Sequence, residues 1–278
     1  MTTTWTTDII RLGETPVRVR KGGSGPPLVI LHHEIGSPEN LPFYDELAAR
    51  FTVVRPTHPG YDGSERPDWL RSARDLAVLY QWLLPDQGLD GASVVGLGFG
   101  GWVAAEMATM SPRASRRLVL VGAMGIKPRD GDILDQALLS YFDYVRAGFA
   151  DPKTLDAVYG EFIPTEMLEH WDLNREMTFR IAWKPFLYNP SLPQLLGGVR
   201  TPTLVVWGSH DRVVPLECGE RYAQTLPDAR LTRIDGAGHW AEMEKPIELA
   251  RAITEFVTAG EHGTPGRASK ARRRSPRR

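Results

Sequence analysis

The segment Gly96-Leu97-Gly98-Phe99-Gly100-Gly101 lies between the apolar run Ser93–Leu97 and the small-residue stretch Trp102–Met110, and it has two chemical readings. As Gly96-x-Gly98-x-x-Gly101 it matches a fingerprint in which glycines let a pyrophosphate approach a helix N-terminus. That reading calls for an acid at the end of the next strand, about 20 residues on, to hold a ribose. The next run is Leu118-Val119-Leu120-Val121-Gly122-Ala123, which carries no acid. As Gly96-x-Gly98-x-Gly100 the segment matches a nucleophile elbow, whose flanking glycines are needed because the strand-to-helix turn leaves no room for side chains. The central residue is then Gly98, and the side chain that would attack is missing.

The elements around this turn define the fold class. Short apolar, β-branched runs at Pro27–His32, Phe51–Arg55, Ser93–Leu97, Arg117–Val121 and Pro202–Trp207 alternate with helix-like segments such as Arg71–Leu84. Near-continuous apolar strands separated by helices predict a mostly parallel sheet covered on both faces, an α/β architecture. Residues 8–21, divided at Gly13 and Glu14, read as a leading hairpin. The alternation stops between residues 125 and 200, where Pro152, Pro164, Pro185, Pro190 and Pro193 interrupt helical pattern. This stretch holds 11 of the chain's 25 aromatic residues, so it must bury them on the main body or around a ligand.

Five motifs in order resemble those of the α/β-hydrolase superfamily. Leu31-His32-His33-Glu34-Ile35-Gly36-Ser37 resembles the L-H-G-x-x-G-S loop after the third strand, with His33 in place of the usual glycine. His58-Pro59-Gly60-Tyr61-Asp62-Gly63-Ser64 resembles D-x-P-G-x-G-x-S, and the elbow follows at Gly98. Trp207-Gly208-Ser209-His210-Asp211 with Pro215 resembles the acid loop, and Gly236-Ala237-Gly238-His239 with Glu244-x-Pro246 the histidine loop. The resemblance implies an eight-stranded, mostly parallel sheet flanked by helices. It also implies a core of residues 1–124 and 201–260, with a helical cap over 125–200.

The same resemblance makes His239 the general base and Asp211 the carboxylate that holds its tautomer. The oxyanion donors would be the backbone N–H groups of Phe99 and Glu34, which survive any change of side chain. His33, Trp102 and Trp240 are expected around a small, largely apolar substrate. His33, Glu34 and His239 together suggest a metal site, but no ligand spacing supports one, so no metal or other cofactor is expected. With Gly98 at the elbow a covalent serine intermediate is not expected, and restoring serine there should create esterase activity if the triad geometry is intact. Three roles stay open: hydrolysis by water that His239 deprotonates; lyase, decarboxylase or cofactor-free oxygenase chemistry with His239 as base; and a non-catalytic ligand-binding protein.

Composition narrows the setting. The chain is 42% hydrophobic and 24% charged, an ordinary globular balance. One cysteine, Cys218, excludes an internal disulfide and a Cys-based zinc cluster, and the cytoplasm is the expected compartment. The longest uncharged stretch around the middle, Gly91–Ala105, is shorter than a membrane span of roughly 18 residues or more. Residues 263–278 carry seven Lys and Arg and no acid, leaving an acidic body of 26 basic and 34 acidic residues. The 261–278 tail has no large apolar residue and reads as a disordered, solvated terminus, so nucleic acid is not an expected partner.

Overall fold

A computed structural model of the chain describes residues 3–36, 38–111 and 115–259. The basic tail and Ser37 lie outside the described residues. Eight strands, β1 (Trp5–Leu12), β2 (Thr15–Gly22), β3 (Pro27–Leu31), β4 (Thr52–Pro56), β5 (Ser93–Leu97), β6 (Leu118–Val121), β7 (Thr203–Gly208) and β8 (Ala229–Ile234), form one sheet in the order β1-β2-β4-β3-β5-β6-β7-β8. β1 and β2 pair antiparallel, as do β2 and β4, and every other pairing is parallel. Every residue of β5, β6 and β7 is buried, which explains their unbroken apolar sequence. The leading hairpin turns at Gly13 and Glu14 as expected.

β8 has no counterpart among the runs read from sequence. It reads Ala-Arg-Leu-Thr-Arg-Ile and is an edge strand with mostly partly exposed side chains, so it lacks the apolar signature of its neighbours.

The helices are α1 (Pro42–Ala48), α2 (Ala73–Asp86), α3 (Phe99–Met110), α4 (Tyr141–Ala147), α5 (Pro152–Tyr159), α6 (Thr165–Ala182), α7 (Leu192–Leu196), α8 (Leu216–Thr225), α9 (Ala241–Glu244) and α10 (Pro246–Thr258). None of these is long and apolar enough to cross a membrane. α3 leaves the end of β5 with almost no loop, and its first ten residues are buried. This close packing depends on the glycines of the elbow. A Cβ on Gly96 would lie 2.4 Å from the Gly100 oxygen, and one on Gly100 would lie 2.4 Å from the Leu31 oxygen. Helices α4 to α7 fall in the 125–200 stretch, but α7 packs against α3 and α8 of the main body. The aromatic residues there divide between core and surface: Tyr144, Phe149 and Trp171 are buried, while Phe162 and Trp183 are exposed.

Candidate active site

Four strand ends meet at one point, the carboxyl edge where parallel α/β sheets bind ligands. The β3 end supplies His33 and Glu34, the β5 end Gly98, the β7 end Asp211, and the loop after β8 supplies His239. Gly98 sits at φ +49° and ψ −112°, a region that side chains rarely adopt. A Cβ on Gly98 would lie 2.2 Å from His33 Nδ1 and 2.9 Å from Glu34 Oε2. His33 and Gly98, the two positions at which the sequence differs from the motifs it resembles, are therefore neighbours in space. The imidazole of His33 occupies the volume that an elbow side chain would need.

His239 Nδ1 lies 2.8 Å from Asp211 Oδ2. Asp211 Oδ1 in turn accepts the N–H groups of Val213 and Val214, each at 2.9 Å, so the carboxylate is fixed by its own turn. Burial alone would lower the His239 pKa. The charge and hydrogen bond of Asp211, with the charges of Glu34 and Glu242, outweigh burial and hold it above the ordinary imidazole value. The His239 N–H donates to the Gly148 carbonyl at 2.7 Å, which ties the histidine loop to the end of α4.

The opposite wall departs from expectation. Glu34 Oε2 accepts the Phe99 N–H at 3.3 Å, and Glu34 Oε1 accepts the Tyr144 hydroxyl at 2.7 Å. The expected oxyanion donors at Phe99 and Glu34 thus do not form an open hole, because a carboxylate already occupies the Phe99 donor. The cause is the tight turn in which the Gly36 N–H reaches the His33 carbonyl at 3.1 Å. The same carboxylate covers the N-terminus of α3, where a pyrophosphate would have to lie. Burial and the charge of Glu34 push Tyr144 and Tyr141 well above the ordinary phenol range, so both remain hydrogen-bond donors.

His33 Nε2 lies 3.2 Å from Glu242 Oε2. The Trp240 ring packs against both histidines, 4.7 Å from that of His33 and 4.6 Å from that of His239. Trp102 does not join it. One helical turn beyond Gly98, its indole N–H donates to Glu106 Oε1 at 3.1 Å, and its ring lines a separate recess with Ile181, Lys184 and Tyr188. Cys218 is buried with its thiol pushed up to about 12, chiefly by burial, and takes no part. Sequence reasoning missed Glu242 and Tyr144. The only signal for Glu242 is an acid three residues after His239, and for Tyr144 one ring among the many of the cap.

Residues 28–252 match the family model described as alpha/beta hydrolase family. The chain belongs to that family. Among its relatives, a 2-hydroxy-6-oxononadienedioate/2-hydroxy-6-oxononatrienedioate hydrolase of Pseudomonas putida is 27% identical, over 76% of this chain and 78% of that protein. Polyketide synthase ThaQ of Burkholderia thailandensis is 31% identical over 93% of this chain, a match that spans 13% of the synthase. Among solved structures, the 2-hydroxy-6-oxo-6-phenylhexa-2,4-dienoate hydrolase of Rhodococcus sp. strain RHA1 superposes with a TM-score of 0.72. It covers 93% of this chain and all of that one at 21% identity, and so shares the fold.

Proposed function

We propose that this chain is a hydrolase of a small, largely apolar substrate, in which the His239–Asp211 pair activates water directly and no covalent serine intermediate forms. The observation that carries the reading is the 2.8 Å Asp211–His239 contact beside an elbow with no side chain. A base oriented by a buried carboxylate and raised in pKa is suited to deprotonating water near neutral pH. The relatives' names support a 2-hydroxy-6-oxo-dienoate or similar keto acid as the substrate class, and the aromatic cap supports an apolar one. Trp240, whose indole N–H donates to the Val145 carbonyl of α4 at 2.8 Å, packs against both histidines.

A second reading has one observation in its favour. With Glu34 on the Phe99 N–H, an oxyanion would meet a carboxylate, which favours proton transfer on the substrate itself, as in a lyase. Assay of the purified chain against 2-hydroxy-6-oxo-dienoates, aryl esters and lactones, with His239→Ala as control, tests both. Turnover that depends on His239, with no labelling by a serine-directed fluorophosphonate, supports direct water activation. Proton exchange or elimination without hydrolysis supports the second reading, and the absence of any His239-dependent reaction removes both.

A further inference from the structure

His33 and His239 have one feature in common that the dyad does not use. Each imidazole turns one nitrogen to a carboxylate, His33 Nε2 to Glu242 and His239 Nδ1 to Asp211. Each turns its other nitrogen inward, where His33 Nδ1 and His239 Nε2 are buried without a hydrogen-bond partner. Both face the carboxylate of Glu34, at 3.9 Å and 3.8 Å. These distances are about 1 Å too long for charge-assisted hydrogen bonds. The three inward atoms lie within 4.8 Å of one another. We infer that His33, Glu34 and His239 bind one divalent first-row transition-metal ion through His33 Nδ1, His239 Nε2 and the Glu34 carboxylate.

Charge supports the assignment. Glu34, Asp211 and Glu242 have side-chain exposures of 0%, 1% and 1%, and among the described residues their only ion pairs within 4.0 Å are with these two histidines. Three carboxylates sealed from water with at most two imidazolium partners are undercompensated, and burial of unpaired charge costs several kcal/mol per ion. A divalent cation supplies the missing charge and a partner for both orphaned nitrogens. Two histidines and one glutamate form a ligand set suited to zinc or iron(II), with remaining positions open to water.

The surroundings resemble the outer shell of a metal centre. The Asp211 and Glu242 carboxylates fix the histidine tautomers, while Tyr144 and the Phe99 N–H orient Glu34. Ligand atoms around a tetrahedral ion at 2.0–2.1 Å lie about 3.3 Å apart, so drawing the set in by roughly 0.5–1.5 Å completes the site. Gly98 keeps this volume clear, since any Cβ there would meet His33 Nδ1. The inference rests on the same cluster as the proposed function. A ligated His239 Nε2 cannot also serve as base, so the dyad reading applies to the metal-free protein, while a bound ion would supply Lewis acidity to water at its open positions.

The test uses the full chain, dialysed against a chelator and titrated with Co2+ and then Zn2+. One equivalent of Co2+ giving d–d absorption, displaced by one equivalent of Zn2+ that also raises the melting temperature, is the expected result. Glu34→Gln and His33→Asn should each abolish the stoichiometric site. Glu242→Gln, which keeps all three ligands, should weaken affinity by roughly 10- to 100-fold. His170→Ala, a histidine exposed on α6, should leave it unchanged. Absence of stoichiometric binding in the parent chain overturns the inference, as does binding that survives Glu34→Gln and His33→Asn. Neither result touches the dyad reading, which is judged separately by His239-dependent turnover in the chelator-treated protein.

Discussion

The two sides of the site stand differently against the motifs read in the sequence. On one side, Asp211 and His239 keep the motifs of the family and their 2.8 Å contact. On the other, His33 and Gly98 differ from the motif residues, with the His33 ring filling the elbow space and the Glu34 carboxylate on the Phe99 N–H. The contrast teaches that the empty elbow and the His33 ring form one packing arrangement. A side chain at position 98 and the His33 ring compete for the same volume, so the β3 and β5 ends pack as one unit.

The comparison is broken most severely by removing the retained side. His239→Ala should lower turnover on the order of 10²- to 10⁴-fold, the usual weight of a general base, as read by steady-state kinetics. In the chelator-treated parent, the rate should rise with pH through a value above the ordinary imidazole 6.5, because the unprotonated base is the active form. A rate flat across that range would mean that His239 is not the base.

The departed side is tested by restoring the family residues. Gly98→Ser alone should lose about 2–5 kcal/mol by chemical denaturation, from a strained backbone at φ +49° and overpacking against His33. This revises the expectation that serine alone restores esterase activity. His33→Gly in the same chain should recover about 1–3 kcal/mol of that loss and give the serine room to meet His239. Additive effects in the double variant would show that the two positions are independent.

Beside the site lies a second histidine pair. His32 Nε2 accepts the His58 N–H at 2.8 Å, and His58 Nδ1 lies 2.6 Å from the Tyr80 hydroxyl. Burial, more than any other cause, lowers His32 from 6.5 to about 4, and lowers His58 well below its ordinary value. Between those limits the unfolded chain binds more protons than the folded one, so stability falls as pH drops from 6.5 toward 4. The His32 contribution to that loss is about 3 kcal/mol. His239, whose folded pKa is raised, acts in the opposite sense and only above about 6.5. Urea titrations at pH 7 and pH 5 should show the acid loss, and His32→Asn should flatten it.

The last test concerns Tyr144, where the site meets α4. Tyr144→Phe deletes the 2.7 Å hydrogen bond to Glu34 and should cost about 1.5–3 kcal/mol in urea denaturation. A neutral result would mean that the cap does not help to hold the Glu34 carboxylate.

The central strands were legible because burial on both faces leaves only apolar residues, as in β6 and β7. β8 was not, since an edge strand tolerates Arg230 and Arg233. The motif spacing also put His239, Asp211 and Gly98 at strand ends before any coordinates. It misplaced Trp102, because the turn of α3 beyond the elbow decides which way position 102 faces. It missed Glu242 and Tyr144, whose roles come from what they touch.

By itself the sequence determined the layered α/β sheet, the order of the strand-end loops and the empty elbow, since these follow from local pattern and the steric demands of glycine. Only the tertiary structure decided that His33 fills that elbow, that Glu34 takes the Phe99 donor, and that two free imidazole nitrogens converge on one carboxylate. Residues 33, 98 and 239 are far apart along the chain, and no spacing rule carries a contact made by the ends of separate strands.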